Sequence, residues 1–77
     1  MRVIDTIPHP QMRISIFNMN EKYLIKFEAG PYEQTYKLSF EDAGTLESLK
    51  QKVTDNFCSD VISIFRQMHQ MGKQLSE

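Results

Sequence analysis

The fold is decided by residues 12–28, Met12-Arg13-Ile14-Ser15-Ile16-Phe17-Asn18-Met19-Asn20-Glu21-Lys22-Tyr23-Leu24-Ile25-Lys26-Phe27-Glu28. Met12, Ile14 and Ile16 alternate with Arg13, Ser15 and Phe17. Beyond Met19-Asn20, Tyr23, Ile25 and Phe27 alternate with Lys22, Leu24, Lys26 and Glu28. A period of two with β-branched and aromatic residues predicts half-buried antiparallel strands. Asn20 suits a backbone with positive φ, as a tight hairpin needs. A loop at Met19-Asn20 pairs Ile16 with Tyr23, Ile14 with Ile25 and Met12 with Phe27. Each is an apolar cross-strand pair on one face. The same register sets Arg13 opposite Lys26 on the other face.

The alternation continues past Gly30-Pro31. Tyr32, Tyr36, Leu38 and Phe40 alternate with Glu33, Thr35, Lys37 and Ser39. A two-residue loop pairs Ile25 with Tyr36, and a four-residue loop pairs Phe27 with Tyr36. Both keep the same face parity, so the core residues are common to the two. Upstream, Arg2–Ile7 is a candidate fourth, short edge strand. Its apolar positions Val3, Ile4 and Ile7 do not alternate cleanly, and Pro8 and Pro10 behind it suit an edge or an extended arm.

From about Glu41 the period becomes helical. Leu46, Leu49, Val53, Phe57, Val61, Ile64, Met68, Met71 and Leu75 fall at spacings of three and four. A second line lies beside them: Cys58, Ile62, Phe65 and His69. Thr45 can cap a first helix, and Thr54 or Asp55 a second. One unbroken helix over residues 45–75 would be about 45 Å long. Such a length favours two helices with a break near residues 54–56, the alternative being one long helix supported by a partner chain. The expected fold is therefore α+β, a three-stranded meander over residues 11–40 followed by helices over 41–77, packed on one sheet face. Residues 1–10 form the arm or fourth strand, and 1–77 is read as a single domain.

Composition bounds the function without selecting it. The chain has 77 residues, 40% hydrophobic and 25% charged, with a net charge of −1. That balance gives no global field for steering nucleic acid or an anionic membrane. A single cysteine, Cys58, excludes an internal disulfide framework. Asp5 and the two prolines interrupt any signal-peptide core, and no apolar run approaches membrane-span length. These features predict a cytoplasmic protein with no membrane partner.

No motif for chemistry is present. The three glycines are isolated, so no phosphate-cradling loop is expected. His9, Cys58 and His69 are too scattered for one metal-ligand set, and no serine has a base at a useful local spacing. The chain is expected to be neither an enzyme nor a cofactor carrier. Two surfaces stand out instead. On the open sheet face, Arg13, Lys22, Lys26 and Lys37 surround Phe17, in the style of a platform for single-stranded nucleic acid. Glu28 and Glu33 share that face. On the helical part, Arg66, His69 and Lys73 form a candidate anion cluster.

The segments Ile7-Pro8-His9-Pro10, Asn20-Glu21-Lys22-Tyr23 and Glu33-Gln34-Thr35-Tyr36-Lys37 resemble a group of short uncharacterised bacterial proteins. The resemblance implies a bacterial cytoplasmic origin and brings no activity, ligand or catalytic residue. The strand-meander-plus-helix layout is also similar to dimers of the transcriptional-coactivator or single-strand-binding type, an analogy of architecture alone.

The firmest functional expectation is self-association. The apolar arc of residues 57–75 is wider than one sheet contact requires. With Ile64 and its line facing the strands, Ile62, Phe65, Met68 and His69 would need cover from a second copy, the alternative being a compact monomer in which the shorter helix folds back over them. The chain is thus expected to be a non-catalytic binding or structural module acting as a homodimer. The alternative is a regulator that binds single-stranded nucleic acid, and another protein is a further possible partner.

Overall fold

The computed structural model describes residues 2–76; residues 1 and 77 of the single-domain reading lie outside them. Four strands, β1 (Arg2–Ile7), β2 (Arg13–Met19), β3 (Lys22–Ala29) and β4 (Tyr32–Ser39), form one antiparallel sheet in chain order. Three helices follow: α1 (Phe40–Ala43), α2 (Leu46–Lys52) and α3 (Asp55–Ser76). The architecture is α+β, and the meander has four strands rather than three. None of the helices is long and apolar enough to cross a membrane.

The fourth strand explains why the N-terminal pattern would not alternate. A β-bulge lies between Val3 and Asp5. The extra residue, Ile4, shifts the side-chain parity. Val3 consequently pairs with Phe17 on the open face, while Asp5 and Ile7 pair with Ile16 and Ile14 on the covered face.

The first hairpin turns at Asn20-Glu21, one residue later than the sequence suggested. Met19 pairs with Lys22, so Ile16 faces Ile25 and Ile14 faces Phe27. Both turn residues have positive φ, 51° and 61°, as a type I′ turn demands. Met19 stays in the strand, and Glu21 takes the second turn position in its place. A shift of one in the loop moves every pair by two, so the core parity survives. The Arg13–Lys26 opposition does not: Arg13 faces Glu28, and Lys26 faces Ser15 and Thr35. Glu21 carries the left-handed backbone without the freedom of glycine. Glu21→Gly is expected to stabilise the fold by about 0.5–1 kcal/mol, read as a higher urea midpoint with an unchanged slope.

The second hairpin takes the two-residue loop, with Ala29 paired to Tyr32 and Ile25 to Tyr36. Gly30 adopts φ +61° there. Met12, Ile14, Ile16, Ile25 and Phe27 point from this side of the sheet into the core, where Ala43, Leu49, Cys58, Val61 and Phe65 meet them.

The helices begin at local caps. The Ser39 hydroxyl accepts from the Asp42 amide and that of Thr45 from the Ser48 amide. The Thr54 hydroxyl accepts from the Phe57 amide at 3.2 Å, which starts α3 where the two-helix reading placed it. Phe40 continues the strand alternation in sequence, yet it opens α1 because Ser39 caps it. Its ring packs on Tyr23 at 4.7 Å.

An ion pair fastens the edge strand to the helical layer. Lys50 Nζ on α2 donates to Asp5 Oδ2 on β1 at 2.8 Å. This bond, with the Thr6 amide, holds the Asp5 carboxyl below its ordinary 3.8, and it raises Lys50 above 10.5. The Asp5 contribution is complete above the unfolded value near 3.8 and is lost as pH falls through the lower folded value. The Lys50 contribution is complete below 10.5 and is lost as pH rises through the higher folded value. Asp5→Asn is therefore expected to lower the Tm by a constant amount near neutral pH. The gap to the wild type should close in strong acid, which paired thermal melts across pH check.

Candidate interaction surface

Among the described residues no three His, Cys, Asp or Glu side chains come together as a metal site. Cys58 is buried, and desolvation, reinforced by Asp55, pushes its thiol up and away from the reactive thiolate. What the fold presents is surface, and three parts of it bear on function.

The first is the open sheet face. Ladder pairing sorts it into rows. Val3, Phe17, Leu24 and Lys37 form one row, and Ser15, Lys26 and Thr35 another. Arg13, Glu28 and Glu33 form a third, and Met19, Lys22 and Ser39 a fourth. All five residues singled out from the sequence, Arg13, Phe17, Lys22, Lys26 and Lys37, stand on this one face. Their charges are not equivalent. Lys26 Nζ lies 3.2 Å from Glu33 and 3.8 Å from Glu28, and Arg13 is directly across from Glu28. Lys22 and Lys37 make no ion pair among the described residues. One half of the face is thus internally neutralised. The other holds two cations beside Phe17 and buried Leu24, fewer than a base-stacking groove uses.

The second is a groove of about 430 Å³ between α3 and the end of the sheet. Ile62 and Phe65 contribute its apolar wall, and Arg66, His69 and Tyr32 its polar one. The Tyr32 hydroxyl and His69 Nδ1 share a hydrogen bond of 3.1 Å. Of the proposed anion cluster, Arg66 and His69 line the groove and Lys73 does not.

The third is the outer flank of α3 beside the β4 edge. Of the four strands, β4 lies nearest α3, and the two run antiparallel. The Phe57 ring packs on Tyr36 with centroids 6.0 Å apart. Further along, Gln34 Nε2 donates to the Val61 carbonyl at 3.2 Å. At the far end His69 meets Tyr32, and Gly72 lets the Tyr32 hydroxyl approach closely.

These tethers turn the helix in a way that reverses the expected facing. Phe65 is in the core at 6% exposure, and Ile62 and Met68 pack half-buried against it. His69 is exposed and held by Tyr32. The sheet takes the middle of the wide apolar arc, so one whole flank is left out. Phe57, Ile64, Met71 and Leu75 are 37%, 40%, 67% and 89% exposed. Tyr36 on β4 adds to this patch, and an apolar hollow of about 220 Å³ lies next to it, walled by Leu38, Leu49, Val53 and Phe57. The signal for this flank was present in the sequence as spacings of 57, 64 and 71. Which of two adjacent lines faced the sheet depended on tertiary contacts.

No protein-family model matches the chain, and no curated protein or solved structure is similar to it.

Proposed function

We propose that the protein is a small non-catalytic interaction module that works as a homodimer through the outer flank of α3 and the neighbouring β4 edge. The observation that carries this reading is the exposed line Phe57, Ile64, Met71 and Leu75 on a helix whose other apolar residues are packed. Burying a side chain of this size contributes roughly 1.5–3 kcal/mol. A twofold axis applies each contribution twice. For a domain of 77 residues, with a stability margin of only about 5–15 kcal/mol, such cover is a large gain.

Ile64→Asp tests it. Ile64 is outside the core, so the variant is expected to keep its circular dichroism spectrum, and to lose only the stability that association supplied. Light scattering should show its association weakened at least about tenfold, because two charges must be buried per dimer. Unchanged association would remove α3 from the interface.

A second reading, binding of single-stranded nucleic acid, rests on Lys37 in the Phe17 row and Lys22 on the same face, neither with an acidic partner among the described residues. A titration with a labelled oligonucleotide at low salt separates the two. Binding that falls steeply with salt supports the second reading, and no binding removes it.

A further inference from the structure

We propose that two copies join their β4 edges antiparallel about Thr35, fusing two four-stranded sheets into one of eight strands. This rests on the homodimer reading and specifies how the copies meet.

The two edges of the sheet are not alike. β1 has six residues, carries the bulge at Ile4 and runs into Pro8 and Pro10. Bulges and prolines blunt an edge against pairing. β4 has eight residues in unbroken register with β3, from Tyr32 to Ser39, and no proline within it. Its outer backbone groups form a regular template for another strand.

The ladder states which groups those are. Ala29 and Tyr32 flank a two-residue turn, which makes them a hydrogen-bonded pair. Alternation then commits the backbone of Tyr32, Gln34, Tyr36 and Leu38 to β3. Glu33, Thr35 and Lys37 direct their amides and carbonyls outward. A twofold axis normal to the sheet keeps both α3 helices on the same side and makes residues of equal parity face each other. Centred on Thr35, it sets Glu33 opposite Lys37 twice. Centred on Gln34, Glu33 faces Thr35; centred on Tyr36, Thr35 faces Lys37. Only the first of these registers matches opposite charges across the seam, which favours pairing.

The surroundings of the two charges agree. Lys37 makes no ion pair among the described residues, and the Glu33 side chain is 58% exposed with Lys26 on one oxygen. Lys37 of the second copy completes a row of Lys26, Glu33 and Lys37. The same axis serves the helices. Phe57 stands level with Tyr36 and Val61 with Gln34. Pairing about Thr35 puts Tyr36 beside Gln34 of the second copy. Phe57 therefore comes level with Val61 of the second copy, whose Ile64 lies on the outer flank. The first turns of α3 around Phe57 and the hollow at Tyr36 are covered in this register, while Met71 and Leu75 reach past the start of the second copy's α3.

Cysteine trapping tests the register. Thr35 is exposed, and across the axis its Cα atoms would be about 5.5 Å apart, within the range a disulfide spans. Thr35→Cys is expected to form a covalent dimer on mild oxidation. Lys37→Cys alone should not, since the two copies of residue 37 are four positions out of register, roughly 13 Å along the strand. A mixture of Glu33→Cys and Lys37→Cys proteins should cross-link to each other. The wild type, with Cys58 buried, serves as the uncross-linked control. If the wild type is dimeric while Thr35→Cys and the mixture both fail to cross-link, the edge pairing is overturned and the homodimer reading stands. A monomeric wild type overturns both.

Discussion

Phe65→Asp is expected to leave the chain unfolded at 25 °C, while Ile64→Asp, one residue away, leaves it folded. Phe65 is 6% exposed and sits among Met12, Phe27 and Val61 in the core cluster. Removing a buried phenylalanine costs about 3–5 kcal/mol. Placing a carboxylate in the vacated apolar space adds several more, since no cation of the core cluster can pair with it. The sum approaches or exceeds the roughly 5–15 kcal/mol that small domains possess. Far-ultraviolet circular dichroism and a urea titration check this. A cooperative transition at the wild-type midpoint would show that Phe65 faces outward after all. The contrast matters because the sequence alone made Phe65 the interface residue and Ile64 the core residue.

Phe27→Ala is expected to be the most damaging truncation in the sheet, with a loss of about 3–5 kcal/mol. Phe27 is 0% exposed at the centre of β3. Its ring meets Tyr36 edge-on at 6.0 Å and Phe57 at 5.6 Å. Each such pair contributes roughly 0.5–1.5 kcal/mol beyond the buried area. Loss of the ring also withdraws support from Phe57, and so from the start of α3 and the adjoining hollow. The urea midpoint reports the effect, and a loss below about 1 kcal/mol would contradict this packing. In a dimer held by the α3 flank, the variant should also associate more weakly, because Phe57 is no longer positioned.

Much of this fold was legible because strand parity survives errors of register. Ile14, Ile16, Ile25 and Phe27 reach the core in either register of the first hairpin, so the core residues were readable although the pairs were not. Contacts that depend on register were not readable. The supposed opposition of Arg13 and Lys26 disappears once the turn moves to Asn20-Glu21, and Arg13 stands across from Glu28 instead. The edge strand was obscured by a bulge, which breaks the only periodic signal a strand has. The break before α3 was visible because Thr54 carries a local cap. The facing of α3 was hidden for a different reason. Its apolar arc is wide enough to present either Phe65 or Ile64 to the sheet. In the fold Gln34 and Tyr32 on β4 hold the helix with Phe65 inward, through contacts that lie outside its own sequence. The open-face residues were placed correctly by parity, but parity did not say which of them pair: Lys26 meets Glu33 on β4 and Glu28 on its own strand.

If a second copy covers the β4 edge and the neighbouring start of α3, the chain is dimeric in solution. Sedimentation equilibrium of the wild-type chain over a series of micromolar concentrations tests it most directly. The expected result is a mass of twice the 9.0 kDa chain, shifting toward the single chain only on dilution. A single species of 9.0 kDa at every concentration would contradict it.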